Sequence, residues 1–217
     1  IRNLNTGEII QQLYIVKKKT TQPITNIVFM GMGEPFLNYK NVIKACNIIN
    51  NKNGFNISSR KITISTSGIL PKIKKFIQDE LKFKLAISLN ASNNDLRNKL
   101  IPINKKWPIE DLISALKKYK FNKYRPIMFE YVLIENVNDS ENDAKLLINI
   151  LKDINCKINI IPYNNISNEF NRPEILKVEK FAKTLNESKF SFRAFIRWSK
   201  GEDINAACGQ LVTENES

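Results

Sequence analysis

A lone carboxylate stands beside two of the chain's seven glycines in the stretch MGMGEPFLNY, residues 30–39. Gly31 and Gly33 would admit close approach of a ligand to the backbone, and Glu34 accepts hydrogen bonds from an ammonium or hydroxyl group. An ordinary strand-to-helix turn with a carboxylate at the helix start uses the same residues, and Pro35 stops the strand in either case. In Ser65-Thr66-Ser67-Gly68, three hydroxyls precede a glycine. They suit a bound carboxylate or ribose, and they suit capping of the following helix equally. Ser88-Leu89-Asn90 ends another apolar run and leads into Asp95 and Arg97, while Asn164 follows Ile160-Ile161-Pro162-Tyr163. Asparagine presents both donor and acceptor, which matches an adenine edge or an amino-acid head group, although asparagine is common throughout the chain.

Sulfur chemistry rests on Cys46, Cys156 and Cys208, an odd number spaced too far apart for a disulfide framework or a self-contained metal site. Cys46 shares an apolar helical stripe with Val42, Ile43 and Ile49, and Cys156 leads into a buried strand, so both read as packing residues. Cys208 sits in DINAACGQL, where Ala206, Ala207 and Gly209 leave its sulfur unhindered; small neighbours also occur at tight helix contacts. There is no histidine. That removes histidine-based triads and histidine metal sites.

The elements that must position these residues follow from composition and periodicity. With 217 residues, 42% hydrophobic and 25% charged, the chain has the make-up of a globular protein able to bury a sizeable core as one domain, 1–217. No apolar run reaches the roughly 18 residues of a membrane span, and the start IRNLNTGEII lacks the order of a signal peptide, which predicts a cytoplasmic location and no membrane partner. A formal charge of +13 suits a polyanion such as RNA, but abundant lysine, asparagine and isoleucine together also follow from an AT-rich coding sequence.

Helical spacing over 6–18, 39–50, 71–79, 109–119, 140–152 and 173–187 alternates with apolar runs at 26–31, 61–65, 84–89, 127–134, 157–161 and 192–198. Strands joined by helix-length crossovers pair in parallel, so the predicted class is α/β. Each run exits into a polar or glycine-containing loop: GMGEP, STSG, SLNASNND, ENVND, IPYNN and WSKGED. Six such loops around one mouth favour a barrel over an open doubly wound sheet.

Taken in order, GMGEPFLNY, RKITISTSGILP, LAISLNAS with LIPINKKWP, FEYVLIENVNDS, KINIIPYN and GEDINAACGQL resemble the radical-SAM rRNA/tRNA adenine-C2 methyltransferases, the RlmN-like family. The resemblance runs from about Asn3 to Leu211. It implies a radical-SAM partial (β/α) TIM-like barrel whose mouth holds S-adenosylmethionine (SAM). Gly33 and Glu34 match positions that bind the methionine portion of SAM, Ser65 a binding serine, Ser88, Leu89 and Asn90 a binding triplet, and Asn164 a binding asparagine. The family usually has histidine where Asn90 stands, which implies altered contact there.

Cys208, in the carboxyl-terminal segment 199–217, matches the methyl-carrying cysteine. Adenine C2 is electron-poor and has no nucleophilic lone pair, so the implied route is indirect. One SAM methylates the thiolate, and a second is cleaved reductively by a [4Fe-4S] cluster to give the radical that activates the S-methyl group. The implied partners are 23S rRNA, tRNA and an external electron donor such as flavodoxin. No Cys-x3-Cys-x2-Cys motif occurs in the chain, so the cluster ligands, together with the first strand and its cluster loop, are expected upstream of Ile1. Alternatives are a catalytically inactive RNA-binding remnant of such an enzyme and another radical-SAM enzyme.

Overall fold

The computed structural model describes residues 2–118, 126–164, 169–190 and 192–198. Helix α1, Thr6–Lys19, starts at a capping box in which Asn5 accepts from the Glu8 amide and the Glu8 side chain returns to the Asn5 amide. Six strands follow, β1 Ile27–Phe29, β2 Ile62–Thr66, β3 Lys84–Ser88, β4 Ile127–Leu133, β5 Cys156–Pro162 and β6 Arg193–Ile196. Between them lie α2 Tyr39–Asn50, α3 Leu70–Gln78, α4 Asn94–Leu100, α5 Ile109–Lys117, α6 Glu141–Leu151 and α7 Ile175–Asn186. Every expected strand and helix forms. The addition is α4, whose seven residues are too few to show a period; Asn93 starts it by accepting from the Leu96 amide.

All neighbouring strands pair in parallel, in the order β1-β2-β3-β4-β5-β6. A doubly wound sheet reverses direction partway and places helices on both faces, whereas this order never reverses. Each connection moves one strand along, and crossovers of the right-handed sort that parallel strands follow as a rule then gather the helices on one face. The order is that of a (β/α) barrel wall.

Alternation along the strands makes the two faces chemically different. Ile62, Ile64, Leu85, Ile87, Phe129, Tyr131, Ile158 and Ile160 join the helices in one continuous hydrophobic core. Their alternates on the other face include Thr63, Ser65, Glu130 and Asn159, all buried and polar. Parallel strands usually read as unbroken apolar runs. Polar groups at these alternate positions mark the inner face as a place for a ligand rather than for packing.

Candidate functional site

At the carboxyl ends of the strands, hydrogen bonds tie successive loops into one rim. Glu34 begins it. Its Oε1 accepts from the Phe36 amide at 2.8 Å, which caps the 3-10 turn Pro35–Asn38. Its Oε2 accepts from both the Ser67 amide and the Ser67 hydroxyl, each at 2.7 Å. The carboxylate is thus a turn cap and also a brace to the loop after β2. Gly33 turns the chain with φ of 81°, a left-handed conformation that glycine adopts without strain, and open space surrounds the Cα of both Gly31 and Gly33.

The hydroxyls of Ser65-Thr66-Ser67 divide into three roles. Thr66 Oγ1 accepts from the Gly68 and Ile69 amides at 3.1 and 3.4 Å, fixing the turn into α3. Ser67 braces Glu34 as above. Ser65, 7% exposed on the inner face, keeps its hydroxyl without a hydrogen bond to any described residue.

Arg97 joins this loop to the next. Although α4 carries it, the side chain is 0% exposed. Nη2 donates to the Ser67 carbonyl at 2.6 Å and to the Ser88 carbonyl at 3.0 Å, Nε to the Leu89 carbonyl at 3.1 Å, and Nη1 to Asn104 Oδ1 at 2.9 Å. Burial pushes its pKa down to about 10, so the guanidinium still carries its charge at neutral pH. Gly68, with φ of 114°, lies so close that a Cβ there would meet Arg97 Nη2 at 3.2 Å. Reading by local motif gives Arg97 no role, because three of its four acceptors are backbone carbonyls, which have no sequence signature.

Leu89 is fully buried in the helix-side core, and its amide donates to the Glu130 carbonyl at 2.9 Å. Its carbonyl accepts from Arg97 Nε, so both backbone groups of Leu89 have a partner within the rim. Asn90 has φ of 56°, a region that asparagine tolerates better than most residues. Its Oδ1 accepts from the Val132 amide at 3.0 Å and its carbonyl from Asn138 Nδ2 at 2.9 Å. Asn138, 0% exposed, also donates to the Val132 carbonyl and accepts from the Ile134 amide, so it laces the loop after β3 to that after β4. On β5's exit, Asn164 is 4% exposed and its Oδ1 accepts from Arg172 Nη2 at 2.7 Å. The expected residues Gly33, Glu34, Ser65, Ser88, Asn90 and Asn164 therefore all stand on the exits or inner face of β1, β2, β3 and β5. Cys208 and the segment 199–217 lie outside the described residues.

Cys46 and Cys156 are 0% and 2% exposed among core residues, and burial pushes both thiols up to about 12. A cluster needs thiolates that converge. These two do not fit it, and no group of three or more acidic or cysteine side chains able to hold a metal occurs among the described residues. Both are expected to resist alkylation in the native chain and to react only on unfolding; rapid native labelling at either, read by peptide mass spectrometry, would contradict their burial. SAM fares differently. An acceptor-only carboxylate with one unused lone-pair site, open glycine backbone and hydroxyls on one inner face match the ammonium, carboxylate and ribose groups of that cofactor. Among the described residues, no helix is long and apolar enough to cross a membrane.

Comparison with known proteins matches this fold. The family profile described as the radical SAM superfamily matches residues 2–148. A probable dual-specificity RNA methyltransferase RlmN from Spiroplasma citri is 45% identical over 99% of this chain and 62% of its own length. Its namesake from Dictyoglomus turgidum is 45% identical over 97% of this chain and 61% of its own length. The crystal structure of a radical SAM methyltransferase from Sphaerobacter thermophilus superposes with a TM-score of 0.90 at 40% identity, covering 96% of this chain and 62% of that one. A domain of pyruvate-formate lyase-activating enzyme from Bacteroides vulgatus, 16% identical with a TM-score of 0.61, shares the fold alone. The chain spans less than two thirds of the length of these curated relatives. It belongs to the radical SAM superfamily, with an RlmN-like sequence.

Proposed function

We propose that the chain is the SAM-binding and methyl-carrying part of a methyltransferase acting on adenine C2 of 23S rRNA and of tRNA, with Cys208 as the residue that is methylated. The observation that supports this most is the continuous rim from Glu34 through Ser67 and Arg97 to Ser88 and Asn90, which braces the loops where the RlmN-like blocks fall. In this reading, the Glu34 carboxylate takes the ammonium of SAM at the lone-pair site left on Oε1, and Gly33 lets the methionine portion lie against the backbone. Ser65, Ser88, Asn90 and Asn164 supply donors and acceptors to the remaining polar groups. SAM, together with a [4Fe-4S] cluster, supplies the methyl group and the one-electron chemistry that an electron-poor carbon requires. The reading also implies an electron donor such as flavodoxin and a cytoplasmic site of action beside the ribosome.

Cys208→Ala in the complete protein tests it. Loss of C2-methyladenine from rRNA and tRNA, measured by nucleoside mass spectrometry, is expected; methylation at the wild-type level would overturn the assignment. A second reading, an RNA-binding protein without methyl transfer, draws on the +13 charge. Calorimetric titration with SAM separates the two, since only the first requires binding.

A further inference from the structure

Charge is divided unevenly along the chain. Residues 9–78 hold eleven lysines and arginines against a single carboxylate, Glu34, and so carry +10 of the +13 total. The rest of the chain is close to balanced, with 23 cations and 20 acids. An AT-rich coding sequence raises lysine throughout, but it gives no reason for carboxylates to be absent from one third of the chain. Residues 9–78 form α1, β1, α2, β2 and α3, which adjoin one another at one edge of the sheet.

Within this basic side lies an open cleft of about 380 Å³ lined by Tyr14, Lys17, Lys18, Gly54 and Phe55. It sits where α1 ends before β1 and where the loop from α2 enters β2, at the amino-terminal ends of the strands and away from the rim. The loop is preset. The Gly54 and Asn56 amides both donate to the Asn51 carbonyl, at 2.9 and 3.1 Å, and the Ile57 amide donates to the Ile49 carbonyl at 3.0 Å. A Cβ on Gly54 would meet the Ile48 carbonyl oxygen at 2.5 Å, so only glycine fits there. Phe55 is anchored against the core, while Tyr14 is half-exposed on α1.

The Lys17 ammonium lies 5.7 Å from the centre of the Phe55 ring, and that of Lys18 lies 4.7 Å from the centre of the Tyr14 ring. Neither has an ion-pair or hydrogen-bond partner among the described residues. The helix dipole accounts for cations in the last turn of α1. It does not account for aromatic faces beneath them. Rings beside unneutralised ammonium groups, with no carboxylate at hand, suit a ligand that carries both a π-face and an anion.

We propose that this cleft is a second RNA contact, remote from the mouth, in which an unpaired nucleotide stacks its base on Tyr14 and Phe55 while its two flanking phosphates meet Lys17 and Lys18. The proposal rests on the protein acting on RNA. An acidic peptide matches the charge alone, and a duplex keeps its bases stacked inside, so an unpaired stretch of RNA is the occupant that uses both halves of the cleft. As it docks, each ammonium exchanges a cation–π contact for a charge-assisted bond to phosphate, and the base takes the vacated ring face.

Fluorescence anisotropy of the complete protein with a single-stranded RNA oligonucleotide and with an abasic strand of equal length tests this, because the two share their phosphates and differ in bases. Tyr14→Ala, at an exposed position, is expected to weaken RNA binding about 10-fold and to leave the affinity for the abasic strand as in wild type. Tyr14→Phe, which keeps the ring, should bind as wild type does. Lys17→Gln combined with Lys18→Gln should weaken both strands and flatten the slope of log K against log salt by about 1.4, the loss of two phosphate contacts on a single strand. Equal losses on both strands in Tyr14→Ala, or none on either, would overturn the proposal. Displacement of the RNA by an equal concentration of AMP would assign the cleft to a free nucleotide and overturn it too. A wild-type protein that binds neither strand would instead overturn the RNA reading, and this contact with it.

Discussion

Arg97→Met is expected to lower the melting temperature by roughly 10 °C and to weaken SAM binding at least about 10-fold. The substitution removes the shared donor of the Ser67, Ser88 and Leu89 carbonyls and of Asn104 Oδ1, while methionine fills much of the same volume. Each buried acceptor left without a donor costs about 1–3 kcal/mol, partly recovered where water enters, so a net loss of several kcal/mol is the expectation. For a domain of this size each kcal/mol moves the melting temperature by about 2–4 °C. Arg97→Lys discriminates charge from shape. A point ammonium restores the charge but cannot reproduce the fork that reaches two loops at once, so it should recover only part of the loss. Full recovery by lysine would show that charge alone matters; an unchanged SAM affinity in Arg97→Met would remove Arg97 from the positioning of the site.

Glu34→Gln is expected to weaken SAM binding by about 10- to 100-fold with a stability loss of only about 1 kcal/mol. Three protein donors converge on this carboxylate, from Phe36 and twice from Ser67. An amide cannot accept at both ends, so its NH2 group must oppose either the Phe36 or the Ser67 N–H. One unmet, part-buried donor accounts for the modest stability term. The affinity loss is larger because the substitution both removes the charge that meets the ammonium and displaces the loop carrying Ser67. Circular-dichroism melting and calorimetric titration with SAM read the two quantities separately. A variant that binds SAM as well as wild type would exclude Glu34 from the contact, whatever its effect on the turn.

The two substitutions probe residues of very different visibility in the sequence. Glu34 stands out because glycines surround it at the end of an apolar run, and local reasoning leaves it as either a turn cap or a ligand group. The structure shows that capping and bracing are the same arrangement, since the oxygen not used on Phe36 holds Ser67. Arg97 has no such marker. Its acceptors lie 8, 9 and 30 residues away along the chain and are main-chain carbonyls, which every residue possesses. Asn138 is hidden for the same reason: in an asparagine-rich chain, only its complete set of buried partners distinguishes it.

Periodicity by itself determined that strands and helices alternate and that the strands pair in parallel, because hydrophobic spacing is a local property and helix-length crossovers permit no other pairing. It marked Cys46 and Cys156 as packing residues as well, and both are buried in the core. The order of the strands was left to tertiary structure, since a barrel wall and a doubly wound sheet share the same alternating elements and differ only in which neighbour each strand finds. Tertiary structure also decided that the Leu89 amide meets the Glu130 carbonyl and that Glu130 lies beside Ser88 and Asn159, for those outcomes depend on register between strands far apart in the chain.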